Sequence, residues 1–393
     1  MSRNILYLLS ISLVFTISCQ NKGDEKTIVA AKPTIIHLHD TNKVAELKLK
    51  DVFEITDITP LETDTIKSIL ASTNDIIYIE NRYFVLDTKL SVLKVFDQKG
   101  NFLYNIGKLG AGPGEYSRIF SVAYTQNTNE VIFYCLNDMK MIWYGLGGNY
   151  IKQERIPFFT YYFTQLPGDN YAFYCNYNTS EYNQNHNLLI TDPNFKILHR
   201  YFPYKRDFAV STAGFLKKTC TGILYSDAYS NRVYKIDDKQ ITPTYDFDLG
   251  KDSVTQDVST KFEVLVKHLM GRTYLKRISA DDQSMMSFTY IEKQYVLQGF
   301  FDKRKQQLYT KTNFSENDLF HLLGIGGIQG NPLQCGEYLV LIEPDIFFSR
   351  TEANPNFMPS LKKDYPQVYE KFKNFRETDN PIVLRMKLNE QLK

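Results

Sequence analysis

Between Ile76 and Ile106 the chain runs through four apolar stretches with only a few residues between them. These are Ile76-Ile77-Tyr78-Ile79, Tyr83-Phe84-Val85-Leu86, Val92-Leu93-Lys94-Val95-Phe96 and Phe102-Leu103-Tyr104-Asn105-Ile106. The joins, Glu80-Asn81-Arg82, Asp87-Thr88-Lys89 and Asp97-Gln98-Lys99-Gly100, carry the Asn, Asp and Gly that tight turns favour. β-Branched and aromatic residues bounded by such turns read as strands. Four antiparallel strands in 31 residues form one meander, the unit of a propeller blade.

The unit recurs. Val131–Asn137 and Tyr171–Tyr177 share the string Phe-Tyr-Cys at a distance of 40 residues, and similar runs occur at Gly222–Tyr225, Tyr295–Leu297 and Tyr338–Ile342. Taking Val85, Phe133, Phe173, Leu224, Leu297 and Val340 as centres gives intervals of 48, 40, 51, 73 and 43. A blade needs about 40 to 50 residues, so six centres predict six blades and one insertion. In the long interval, Val254, Val258, Phe262, Leu265 and Leu269 share one helix face. A second short helix is expected from Tyr365 to Phe375, capped by Asp364, with Pro366 in its first turn. The strand Pro381–Leu388 is expected to pair with Val52–Ile58, closing the ring with its own ends so that no sheet edge stays open. The fold class is therefore all-β: a six-bladed β-propeller of four-stranded antiparallel blades with two short helical decorations.

Composition narrows the kind of propeller. There are 28 Tyr and 27 Phe but a single Trp, which disfavours WD40 repeats with one Trp per blade, and also the repeated Asp-box of sialidases. A net charge of +2 gives no basic face for nucleic acid. The aromatic excess reads mainly as packing between twisted blades.

The N-terminus reads as an address. A short positive start is followed by the apolar run Ile5–Ile17, too short for the ~20 residues of a membrane span and suited to a signal-peptide core. Phe15-Thr16-Ile17-Ser18-Cys19 resembles a bacterial lipobox, with Thr16 in place of the usual Leu. The expected organisation is a signal peptide over 1–18, lipidated Cys19 and a flexible polar tether over 19–50, and a single propeller over 51–393. The protein would hang from the membrane by lipid alone. Four further cysteines, Cys135, Cys175, Cys220 and Cys335, lie in or beside apolar runs, and are expected to be free buried thiols although export permits disulfides.

Val95-Phe96-Asp97-Gln98-Lys99-Gly100-Asn101-Phe102-Leu103, then Ile106-Gly107, then Gly110-Ala111-Gly112-Pro113-Gly114-Glu115-Tyr116, resembles the first blade of the six-bladed propeller lipoproteins of Bacteroides-type bacteria. These are relatives of NHL-repeat and TolB-like propellers. Ile58-Thr59-Pro60-Leu61-Glu62-Thr63 and Asp379-Asn380-Pro381-Ile382-Val383-Leu384 extend the resemblance to both ends of the ring. It implies the fold and an outer-membrane lipoprotein at the cell surface or the periplasmic face. It implies no settled activity and no catalytic residues.

No catalytic or cofactor motif competes with this reading. The glycines at 107, 110, 112 and 114 cannot be drawn as Gly-x-Gly-x-x-Gly, and no phosphate loop follows; a turn between blades explains them. His37-x-His39 has no third ligand nearby, so no metal site is assigned. Dense aromatics remain, and Tyr suits sugars and protein partners because its flat ring ends in a polar tip. Tyr161, Tyr162, Tyr201 and Tyr204 are the candidate binding-mouth residues. The expected function is a lipid-anchored binding module for a glycan, peptide or partner protein, with no cofactor and no nucleic acid. The alternatives are a polysaccharide lyase or glycoside hydrolase, or a scaffold in an outer-membrane nutrient-uptake assembly.

Overall fold

The computed structural model describes residues 28–38, 47–73, 75–125, 128–205, 214–237, 240–254, 269–323 and 327–389. Six four-stranded meanders stand around a common axis. Blade 1 comprises Asp75–Ile79, Arg82–Asp87, Val92–Asp97 and Phe102–Ile106. Blade 2 comprises Ser121–Thr125, Glu130–Cys135, Lys140–Gly145 and Tyr150–Arg155. Blade 3 comprises Tyr162–Gln165, Tyr171–Tyr174, His186–Thr191 and Ile197–Pro203. Blade 4 comprises Phe215–Thr219, Gly222–Ser226, Arg232–Ile236 and Ile241–Asp248. Blade 5 comprises Thr273–Asp281, Met285–Glu292, Tyr295–Asp302 and Gln307–Thr310. First strands of neighbouring blades touch one another, so they line the axis. We call the end where they begin the upper face, and the end of their first hairpin turns the lower face.

Blade 6 is built from both ends of the chain. Its order from the axis outward is Gln329–Gly330, Glu337–Ile342, Ile382–Leu388 and Phe53–Pro60. The expected closure forms antiparallel, from Phe53 opposite Leu388 to Pro60 opposite Ile382. The stretch expected as a tether also supplies structure. Thr34–His37 adds a fifth, parallel strand to the rim of blade 4, burying Ile36, and Leu49–Val52 forms a helical turn with both end residues buried. Cys19 and the rest of residues 1–27 lie outside the described residues, as does His39.

Five of the six expected centres sit on second strands, but Leu297 lies on the third strand of blade 5. The true second strand, Met285–Glu292, buries Ser287 and Thr289, so its apolar run is interrupted in the sequence. Each blade packs its faces on its neighbours, and six clusters of buried apolar residues lie one at each blade interface, with a small seventh around Tyr177 and Tyr229. Aromatics dominate them: Tyr83, Tyr116, Tyr134, Tyr174, Tyr225 and Tyr338 are among the largest fully buried side chains. Each buried ring contributes about 1.5–3 kcal/mol of burial. Tyr rather than Phe has a local reason, because the hydroxyl satisfies a polar group that a loop would leave dry. The Tyr174 hydroxyl accepts from the Gly214 and Ala228 amides at 3.1 and 3.3 Å, stitching blade 3 to blade 4.

The helix expected between Val254 and Leu269 falls largely on residues 255–268, outside those described. At the other site Pro366–Phe372 is helical, with Pro366 in its first turn and Val368 and Phe372 buried. Its expected cap is corrected: Asp364 ends a preceding helix, Phe357–Asp364, and its carboxylate instead holds Lys48 and Lys50 at 2.7 and 3.0 Å. A further helix, Pro344–Ala353, completes a layer over blades 5 and 6. Buried Asp318 ties this layer to the N-terminal turn, accepting from the Leu49 amide at 2.9 Å and the Tyr365 hydroxyl at 2.6 Å.

Cys135 and Cys175 are free and buried, and burial pushes each thiol up to about 12. Cys220 and Cys335 depart from the expectation and form a disulfide. Both sit in lower-face turns rather than in strands, and the ring brings their Cα atoms to 5.6 Å across 115 residues of sequence.

Candidate functional site

The six residues Asn331–Gly336 link the first two strands of blade 6 and cross the lower end of the channel. Asn331 Nδ2 donates to the Tyr78 carbonyl of blade 1 at 2.8 Å. Leu333 packs on the core between blades 1 and 2. Cys335 is bonded to Cys220 of blade 4. A loop rooted in blade 6 that reaches blades 1, 2 and 4 must pass over the axis. Beside it, between Lys218, Ser279, Asp281 and Asn331, remains a cavity of about 10 Å³, room for one water. The lower end is therefore closed.

Charge gathers further up the channel. Lys217 on the first strand of blade 4 reaches Asp75 at the start of blade 1, with Nζ 3.3 Å from the carboxylate. The two blades lie opposite each other in the ring, so this ion pair spans the axis. Its side chains remain open to water, 32% exposed for Lys217 and 46% for Asp75. Arg277, on the first strand of blade 5, is within electrostatic reach of Asp75 and Tyr162. The same two strands also carry Lys218 and Lys276. Burial lowers the pKa of Lys218, Lys276 and Arg277, since each charge loses hydration. Ser121 Oγ and Gln329 Oε1, on the first strands of blades 2 and 6, are 9% and 5% exposed as residues and find no hydrogen-bond partner among the described residues.

The four candidate tyrosines separate. Tyr162 begins the first strand of blade 3 and sits near Arg277 and Asp75, with its phenol pKa raised by burial. Tyr161 packs edge-on to Tyr162 at 5.3 Å and to Phe120 at 4.8 Å, and all three rings are partly exposed. Tyr201 is not at the mouth: it lies on the outermost strand of blade 3 and is 8% exposed. Tyr204 is placed in the loop that follows, against Tyr177 and within hydrogen-bond reach of Asn183 and Thr179. Sequence reasoning missed Asp75, Lys217 and Arg277. The Lys-Lys and Lys-Arg doublets were visible signals, but only the ring shows that they meet.

The glycine-rich stretch behaves as a turn. Gly107 and Gly114 have φ of +78° and +71°, and a Cβ at either would stand 2.6 Å from the rings of Tyr116 and Tyr150 respectively. Glu115 accepts from the Gly112 amide at 2.9 Å and pairs with Lys108. An open cleft of about 720 Å³ adjoins this turn, and Asp138 and Lys140 in its lining are engaged locally. Asp138 holds Ser117, and Lys140 donates to the Glu115 carbonyl.

A separate acidic group lies on the upper face. Burial, with Asp345 and then Asp87 nearby, pushes Glu343 up to about 7. Its unfolded value is near 4.5, so between these pH values the folded chain holds a proton that the unfolded chain has released. Stability from this group falls as pH rises from 4.5 to 7 and is flat above. Glu343→Gln should remove that fall. In urea titrations it should match the parent below pH 4.5 and exceed it by about 3 kcal/mol above pH 7. A gap that does not change with pH would contradict the assignment.

No described helix is long and apolar enough to cross a membrane, and the described residues hold no group of three His, Cys, Asp or Glu suited to a metal. The molecule is a six-bladed β-propeller whose axial channel is closed below and charged above. It belongs to a family defined by a domain of unknown function, DUF4934, whose model matches residues 33–387. It is similar to the crystal structure of a Bacteroides fragilis protein described as exported, with a TM-score of 0.73 and 17% identity over 91% of this chain and 100% of that one. A DUF4221 family member from Bacteroides vulgatus is similar at a TM-score of 0.54 and 7% identity, over 86% and 98% of the respective chains. These likenesses concern the fold. No curated protein matches the chain.

Proposed function

We propose that this protein is an exported, lipid-anchored binding module that takes its ligand at the upper mouth of the axial channel. The observation that carries the reading is the contrast between the two ends. A disulfide-tied loop blocks the lower one, and the Asp75–Lys217 pair stands in water toward the upper one. Loops and strand starts from six blades converge there on a rigid frame, which is where such scaffolds place recognition. Export is supported by the signal-like leader, by Cys19 in a lipobox-like string, and by a disulfide that an oxidising compartment would preserve. Attachment through Cys19 places the ring at the cell envelope.

The test uses the mature chain with Cys19→Ser, probed against arrays of glycans and peptides. Hits should be lost in Lys217→Gln and in Tyr162→Ala while the melting temperature stays near that of the parent. They should survive Tyr204→Ala. Hits that persist in both mouth variants would reject the channel as the site.

A further inference from the structure

We infer that the channel ligand is an anionic sugar, an oligosaccharide bearing carboxylate or sulfate groups, held by Lys217 and Arg277 with Tyr162 as a ring platform. This rests on the channel being the binding site, and adds the chemistry of what it binds.

Two observations converge. The first is charge. The channel-lining strands of blades 4 and 5 bring two cations, Lys217 and Arg277, to one carboxylate, Asp75. Burial disfavours the charge on Arg277, and an incoming anion would offset that cost. The second is the aromatic group: Tyr162 lies near Arg277 and Asp75, Tyr161 packs on Tyr162, and Phe120 packs on Tyr161. A flat ring with a polar tip suits a sugar face better than it suits a bare inorganic anion. An acidic peptide would satisfy the cations equally, but gives no specific use to a tyrosine platform.

Asp75 gives the inference its sharpest consequence. It occupies Lys217 as an internal rival for the ligand's anionic group. Removing its charge should therefore strengthen binding, the opposite of what loss of a structural ion pair would do.

The probes are trigalacturonate, its methyl ester, a sulfated disaccharide and an acidic hexapeptide, titrated calorimetrically into the mature chain with Cys19→Ser. Trigalacturonate or the sulfated disaccharide should bind, and whichever binds identifies the anionic group. The neutral methyl ester should not. Lys217→Gln and Arg277→Gln should each weaken binding about tenfold to a hundredfold, as expected for one lost charge-assisted contact. Asp75→Asn should tighten it severalfold, and added salt should weaken it. Equal binding of the methyl ester, binding of the hexapeptide alone, or weaker binding by Asp75→Asn would overturn the inference. So would no binding of either anionic sugar. Neutral hits that still depend on Tyr162 would leave the channel as the site while rejecting the anion, whereas hits indifferent to every mouth variant would reject the site itself.

Discussion

A chain ending at residue 380 is expected to lose cooperative folding. The strand Ile382–Leu388 pairs on one side with Glu337–Ile342 and on the other with Phe53–Pro60, so its removal takes out the middle of blade 6. Phe53–Pro60 would then have no strand to pair with. Ile382, Val383, Leu384 and Met386 are all at most 1% exposed and serve the cores on both sides of the blade. At about 1.5–3 kcal/mol each, their burial is comparable with the whole stability of a typical domain, about 5–15 kcal/mol. Calorimetry should show no sharp melting transition, and the truncated chain should aggregate through its open edges. A truncation that melts like the full chain would show that the ring does not depend on its closing strand.

The second large effect concerns the lower face. Replacing Cys220 and Cys335 together by Ser should lower stability by about 2–4 kcal/mol, because the bond closes a loop of 115 residues in the unfolded chain. Reductant should cost the parent the same amount and leave the double variant unchanged. The loop Asn331–Gly336 should also become a protease target, since its remaining ties to other blades are the Asn331 contact with Tyr78 and the packing of Leu333. Cys135→Ser and Cys175→Ser should not alter the response to reductant, as both thiols are free. Equal urea midpoints for the parent with and without reductant would refute the role given to the bond.

The parts of this fold that were legible in the sequence are those written in short range. The meander from Ile76 to Ile106, the glycine turn before Tyr116 and the closing pair of strands each carry their signal in a few adjacent residues. Leu297 was misplaced because buried Ser287 and Thr289 hide a strand that is inside but not apolar. Cys220 and Cys335 looked like strand neighbours, and only ring closure brings their turns together. The candidate site was least legible. Asp75 and Lys217 are 142 residues apart, and neither stands in a motif. Their meeting follows from the number of blades, which puts the first and fourth on opposite sides of the axis. Tyr201 failed as a mouth residue for a related reason: aromatic density marks the packing between blades, while distance from the axis depends on which strand a residue occupies.

For the binding role proposed above, the loop beneath the channel limits what shape of molecule the ring could accept. A tube open at both ends lets a polymer thread and be gripped anywhere along its length. With Asn331–Gly336 as a floor, the ring is a cup. A long chain can present only its tip, and whatever is bound must leave by the opening it came through. Recognition of this kind counts chain ends rather than chain length, so cutting a polymer into fragments would multiply its binding sites without adding mass.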